Sequence, residues 1–417
     1  LHAVEHMYIV TEPMDGLHRD LPSVRDYDSS IYLKEDAGKL IMGGNEPNPK
    51  LWPADKIPDE FEFTLLPEDW DHFEIFMDQA LSTVPSLNEI GIRQLVVGPE
   101  SFTPDGKYLL GEVPDLRGYF VAAGFNSIGI ASAGGAGLAL GQWIIDGEPT
   151  IDLSDVDIRR FHNMASNRRF LRERIPEIVA TGFAVQFPYR QLVSARNVRQ
   201  SPVHQRLSER GAHFDQAVGW ERPEYFGRLE MKDQRNYSFN RPPWFDQVAR
   251  EHRAVRESVG ILDLTSFCKV QVCGTEALSL LQMVSTMNIE MPIGRVVYTL
   301  MLNAQGCITC DATITRTQCD TFLVVTGAKN HGVLLDHLNH GEIPYKNVAI
   351  VDLTSAFSVL GIMGPASREM LQSLSDNDFS NQGFPFLHSQ EIDLGFGRCR
   401  ASRICYAGEL GWELYIP

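Results

Sequence analysis

The segment from Tyr119 to Asp146 constrains this chain more than any other. Tyr119–Ala123 is a short apolar strand, Gly124-Phe125-Asn126-Ser127-Ile128-Gly129 is a turn, and the small-residue run behind it predicts a helix over Ile130–Ile145. A strand that feeds a helix through a glycine turn leaves first-turn backbone N–H groups unpaired and puts the positive end of the helix dipole at the same spot. Such a spot suits an electron-rich ligand atom that approaches the backbone closely. Gly134, Gly135, Ala136 and Gly137 add a second expectation. Glycine inside a helix costs about 1 kcal/mol relative to alanine, so several together predict close packing against another backbone or a flat ring.

The rest of the chain supplies the frame. At 417 residues it has length for two to three domains and ample core. Residues 1–150 alternate strand-like runs (Met7–Val10, Ser30–Leu33, Leu40–Gly43, Arg93–Val97) with one helical stretch, Trp70–Ser82, and turns such as Asn45-Glu46-Pro47-Asn48-Pro49. This predicts a mixed α/β substrate-binding sheet. Residues 151–215 are Arg-rich and partly helical, as expected of a connector or small middle domain. Residues 216–417 begin with two Pro/aromatic segments, Glu221–Phe226 and Arg241–Phe245, expected as extended arms rather than regular elements. A helix over Asp246–Val259 and alternating strands and helices follow, which predicts a second, α+β domain.

Bulk properties exclude several function classes. A net charge of −17 argues against non-specific binding to nucleic acid or an anionic membrane, and no apolar run is long enough to span a bilayer. The arginines at 159, 160, 168, 169, 172 and 174 read as a solvated or inter-domain ion-pairing face. Seven cysteines, none before Cys268, do not form a disulfide framework and fit a reducing compartment. Cys307-Ile308-Thr309-Cys310 lacks a second pair at zinc spacing, while His331, His337 and His340 lie in a helix-like stretch. The two thiols are therefore expected to be inert and to face the same region of a strand, with no metal site.

The motifs carry a resemblance. Thr103-Pro104-Asp105-Gly106, Leu110-Gly111-Glu112 and Gly124–Ile130 resemble the closing segment of glycine-oxidase-type flavoproteins, above all the dimethylglycine and sarcosine dehydrogenases. Asp263–Phe267, Tyr298–Asn303, Gly306–Asp311, Gly364-Pro365-Ala366 and Tyr406–Glu413 resemble the aminomethyltransferase T-protein of glycine cleavage, which those dehydrogenases carry fused behind the flavin module. The resemblance implies an α/β plus α+β chain: the C-terminal part of a glycine-oxidase-type FAD oxidoreductase followed by a T-protein-like folate-binding domain. No G-x-G-x-x-G element of the dinucleotide-binding type occurs in residues 1–100. The chain is thus expected to be an internal fragment, with the dinucleotide half upstream and the end of the last domain downstream.

The same resemblance implies sites. Thr103, Pro104, Asp105, Gly124, Phe125, Asn126, Ser127, Gly129 and Ile130 would contact FAD, and the helix N-terminus would stabilise negative charge on the reduced ring. Tyr8 would position the substrate amine, with His6 on the same strand face. Asp311 would hydrogen-bond or act as a base near the reactive nitrogens of tetrahydrofolate. Glu409, in a glycine-flanked turn, would accept hydrogen bonds from the pterin, and Tyr298 would line that pocket. The implied function is oxidative demethylation of dimethylglycine or sarcosine with one-carbon transfer to tetrahydrofolate, electrons leaving to an electron-transfer flavoprotein. The implied location is the mitochondrial matrix in a eukaryote or the cytoplasm in a bacterium. An alternative stays open. The regulatory subunit of pyruvate dehydrogenase phosphatase is similar over the same region, including Glu68–Glu74, and its partner would be the phosphatase catalytic subunit.

Overall fold

The computed structural model describes residues 1–182, 184–227, 237–339 and 345–417. The chain divides into two units, Leu1–Ile158 with Asn163–Ala195, and Arg159–His162 with Arg196–Pro417.

The first unit is built on an antiparallel sheet of β1 (His2–Thr11), β2 (Val24–Asp26), β3 (Ile31–Asp36), β4 (Lys39–Gly44), β5 (Leu51–Trp52) and β6 (Ile92–Phe102). The order is β2-β3-β4-β1-β5, with β6 along the other edge of β1. Strand periodicity sorts the residues. Met7, Ile9, Ile31, Leu33, Leu40, Met42, Leu95 and Val97 all face one way and pack against Phe73, Phe76 and Ala80 of α1 (Trp70–Thr83). The alternate residues, among them His6, Tyr8 and Tyr32, therefore line the opposite face. One end of that face is closed by Val4 and Phe102 against Leu171, Ile175 and Val179 of α3 (Arg168–Ala180).

Between β6 and α3 lie the hairpin β7 (Leu109–Glu112) and β8 (Phe120–Ala123) and the helix α2 (Gly129–Asp146). This matches the predicted strand–turn–helix. Among the described residues, and apart from the helix's own nearby backbone, no heavy atom lies within 4 Å of where a Cβ would stand at Gly134, Gly135, Gly137 or Gly141, so no other backbone packs there and that face is open to a flat ring. The helix is anchored instead by Ala136, Ala139 and Trp143. The close approach falls on Gly111 of β7, at φ +118°, where a Cβ would lie 2.5 Å from the Trp143 ring.

The second unit begins with α4 (His204–Glu209), β9 (Ala212–Ala217), β10 (Trp220–Phe226) and α5 (Phe245–Glu257). The strands β11 (Gly260–Asp263), β12 (Cys268–Cys273), β13 (Val296–Leu302), β14 (Ile308–Gln318), β15 (Thr321–Thr326), β16 (Ala349–Asp352), β17 (Ser358–Met363), β18 (Ser389–Leu394), β19 (Gly397–Ser402) and β20 (Gly411–Ile416) follow, with α6 (Ala277–Val284), α7 (His331–Leu338) and α8 (Ser367–Gln372) between them. They form two five-stranded antiparallel sheets, β13-β14-β15-β12-β16 and β11-β17-β20-β19-β18. The first packs on α6 and α7 through Leu280, Leu281, Leu334 and Leu338. The second closes over Phe379 and Phe384, which stack on each other and meet the Trp412 ring edge to face.

Three local expectations are corrected. Glu221–Phe226 is not an extended arm but most of β10, paired with β9. Pro223 is tolerated because a two-stranded ribbon has a free edge, and the register breaks between Pro223 and Tyr225. Cys307 and Cys310 do not face one region: Cys307 is exposed in a turn, whereas Cys310 is buried in β14, where burial pushes its thiol up to about 12. Residues three apart on a strand point to opposite faces. Arg174 is not solvated; it is 3% exposed and its guanidinium donates to the Ser194 carbonyl at 2.6 Å. His340 lies outside the described residues. Among those described, no group of His, Cys, Asp or Glu is arranged to hold a metal ion, and no helix is long and apolar enough to cross a membrane.

Candidate functional site

In the first unit the register assembles a polar face. Tyr8 of β1 pairs with Gly43 of β4, which pairs with Tyr32 of β3. Glycine is required at 43: a Cβ there would lie 2.6 Å from the Tyr32 hydroxyl and 2.9 Å from the Tyr8 Cβ. The Tyr32 ring thus lies across Gly43 toward Tyr8, and burial, with Glu100, Tyr8 and Glu46 adding to it, pushes its phenol up to about 12. On the other edge His6 pairs with Gly98 and Val4 with Glu100. Glu100 accepts a hydrogen bond from the Ser127 hydroxyl, which joins this face to the loop before α2.

That loop is held by its own side chains. Asn126 accepts from the Thr103 N–H at 3.0 Å and donates to the Gly124 carbonyl at 2.6 Å, while the Thr103 hydroxyl donates to the Lys107 carbonyl at 2.8 Å. Thr103 and Pro104 are buried, and Asp105 caps its turn by accepting from the Lys107 N–H at 3.1 Å. Phe125 stacks on Tyr108 with centroids 4.7 Å apart. Gly124, Asn126 and Ser127 all have left-handed φ values, of 65°, 50° and 65°. Glycine and asparagine tolerate this conformation; serine there is strained backbone fixed by its surroundings. The result is that α2 starts at Gly129 with no side-chain cap, and Ile130 beside it is fully exposed.

In the second unit Tyr298 and Asp311 face each other across β13 and β14. The Tyr298 hydroxyl donates to Asp311 Oδ2 at 3.0 Å, and this bond, helped by burial and by the nearby charges of Asp311 and Tyr406, holds the phenol above its usual value. Asp311 is fixed through its backbone as well, its carbonyl accepting from the Thr326 hydroxyl at 2.6 Å. Tyr406 is almost fully exposed and lies in the same glycine turn as Glu409. Glu409 itself pairs with Arg256 of α5 at 2.7 Å. Sequence reasoning overlooked Tyr32, Glu46 and Glu100 in the first unit and Tyr406 and Arg256 in the second. The period-2 pattern around Tyr32 and the motif that contains Tyr406 were available in the sequence; Glu46, Glu100 and Arg256 are brought to their places by contacts distant in the chain.

Comparison with known families decides the affiliation. Residues 1–143 match the FAD dependent oxidoreductase model, residues 146–201 the FAD dependent oxidoreductase central domain, and residues 203–417 the GCVT N-terminal domain. The chain belongs to the FAD-dependent oxidoreductases fused to a GCVT-type domain. Its relatives include a 4-methylaminobutanoate oxidase (formaldehyde-forming) of Paenarthrobacter nicotinovorans, 39% identical over 100% of this chain and 50% of that protein. The mitochondrial sarcosine dehydrogenase of Mus musculus is 35% identical over 100% of this chain and 49% of its own. The mitochondrial pyruvate dehydrogenase phosphatase regulatory subunit of Mus musculus is 34% identical, over 100% and 48%. The chain spans about half the length of these relatives.

The family matches give an α/β FAD-dependent oxidoreductase part followed by an α+β GCVT-type domain, and the cofactors are FAD and tetrahydrofolate. The residues present fit both. An uncapped helix start beside a glycine-rich, open helix face accepts a flat, electron-rich ring. The Tyr298–Asp311 pair offers an aromatic face and a carboxylate beside an exposed tyrosine, which matches a ring bearing N–H donors.

Proposed function

We propose that the protein carrying this chain oxidatively demethylates an N-methylated glycine, dimethylglycine or sarcosine, and passes the one-carbon unit to tetrahydrofolate. The observation that carries the reading is the Glu100–Ser127 hydrogen bond, which ties the His6–Tyr8–Tyr32 face to the loop that starts α2. Bound FAD supplies the hydride acceptor for the N-methyl group. Tyr8 positions the neutral amine with its N-methyl group toward the flavin face as the C–H bond breaks. Thr103, Pro104, Asp105, Gly124, Phe125 and Asn126 fix the loop; Ser127, Gly129 and Ile130 present backbone to the ring. In the second unit Asp311 takes the proton from the folate nitrogen as that nitrogen adds to the iminium carbon and opens its C=N bond; the demethylated amine then leaves as the second folate nitrogen closes the methylene bridge. Tyr298 orients Asp311, and Glu409 accepts from the pterin, sharing its carboxylate with Arg256.

The electron acceptor we propose is an electron-transfer flavoprotein, and the location the mitochondrial matrix if the source is eukaryotic. Anaerobic stopped-flow mixing of the full-length protein with dimethylglycine, sarcosine and 4-methylaminobutanoate tests the substrate. Bleaching of the flavin by either N-methylglycine is the expected result. Bleaching by 4-methylaminobutanoate alone would move the substrate to that longer amine. No bleaching by any of them would favour a regulatory protein partnered with the phosphatase catalytic subunit.

A further inference from the structure

Glu46 follows β4 in a Pro/Asn turn, yet its side chain is only 1% exposed. Neither carboxylate oxygen has a hydrogen-bond partner among the described residues, and the same holds for His6 Nδ1. The two groups stand 3.7 Å apart, as an ion pair, with the His6 side chain 9% exposed. A buried carboxylate without hydrogen bonds is costly unless a charge faces it. The charge facing this one is His6. Burial disfavours the imidazolium, but the carboxylates of Glu46 and Glu100 outweigh it and hold the His6 pKa above its usual value. Glu46 also acts on Glu5 and Tyr32, and Glu5 in turn faces Lys50, Asp69 and His72.

We propose that Glu46 is a positioning residue of the amine site: its buried carboxylate pairs with His6 and orients it on the Tyr8–Tyr32 face, where the imidazole attracts the carboxylate of an N-methyl amino acid. The inference rests on the proposed amine chemistry of this face. Its logic is charge balance. Glu100 and Glu46 make the face acidic, and a protonated His6, with Arg25 acting at Tyr32, supplies the positive charge there that attracts a substrate carboxylate. Glu46 lies beneath the surface and so acts through His6 rather than on the ligand.

The test uses the full-length protein with ring-labelled histidine, the His6 resonance being assigned by loss in His6→Gln. In the wild type His6 should titrate above 6.5. In Glu46→Gln, which preserves shape and removes charge, the midpoint should fall, and binding of methoxyacetate should weaken roughly tenfold at a pH where wild-type His6 is protonated. Glu46→Asp keeps the charge and should keep the midpoint near the wild-type value, which separates lost charge from lost folding. An unchanged His6 midpoint in a folded Glu46→Gln would overturn the proposal. Failure of the functional reading shows itself differently: the wild-type flavin would not be reduced by any N-methyl amino acid, whatever His6 does.

Discussion

The candidate folate-site carboxylates are each held in place by a neighbour. Asp311 is held at its carbonyl by Thr326 and at its carboxylate by Tyr298, so its orientation is set before any ligand arrives. Glu409 is held by Arg256. Replacing Glu409 with alanine should weaken tetrahydrofolate binding by about 1–3 kcal/mol, the cost of leaving buried polar ligand groups unpaired; calorimetry showing wild-type affinity would remove Glu409 from the pocket. The His6–Glu46 pair has a consequence for stability with a definite sign. Because the folded His6 pKa is raised, the pair's contribution is fully present below the ordinary value of 6.5 and is lost as pH rises through the folded value. Denaturant unfolding should therefore show Glu46→Gln more destabilised relative to wild type at pH 6 than at pH 8.5. Equal losses at the two pH values would contradict the pairing.

Elements were legible in the sequence where their signals are local. The strand, glycine turn and helix around residue 124 follow from residues adjacent in the chain, and they stand where expected, as β8 and α2. The face that makes the loop useful was not legible, because Tyr32, Gly43, Tyr8 and Glu100 meet only through the pairing of four strands. Glu46 reads as a turn residue in Asn-Glu-Pro-Asn-Pro, and nothing local shows that it is buried. Composition at the helix glycines suggested packing against a backbone or a flat ring; among the described residues no other backbone packs there, and the close approach to a side chain falls on Gly111 of the facing strand. The loop itself can be tested. Asn126→Ala removes the hydrogen bonds to Thr103 and Gly124 and puts alanine at φ 50°, so it should cost roughly 1–3 kcal/mol of stability. Asn126→Gly, which relieves the backbone, should cost less. Thermal unfolding that ranks glycine below alanine would show that the conformation of this loop is not what limits it.

At the scale of the whole molecule, a part that matches the FAD dependent oxidoreductase model and a GCVT-type domain share one chain, with a match to the oxidoreductase central domain between them. One carbon atom should therefore be followed through both chemistries. The direct measurement is to supply the full-length protein with dimethylglycine labelled with carbon-13 in its methyl groups, together with tetrahydrofolate and an electron acceptor. Flavin reduction is followed by absorbance and the labelled carbon by NMR, in the wild type and in Asp311→Ala. The account predicts labelled methylene-tetrahydrofolate from the wild type. For Asp311→Ala it predicts nearly unchanged flavin reduction, with the label diverted to free formaldehyde. Label appearing only as formaldehyde in both proteins would contradict the one-carbon transfer assigned to Asp311, and no label leaving the substrate would contradict the oxidative demethylation itself.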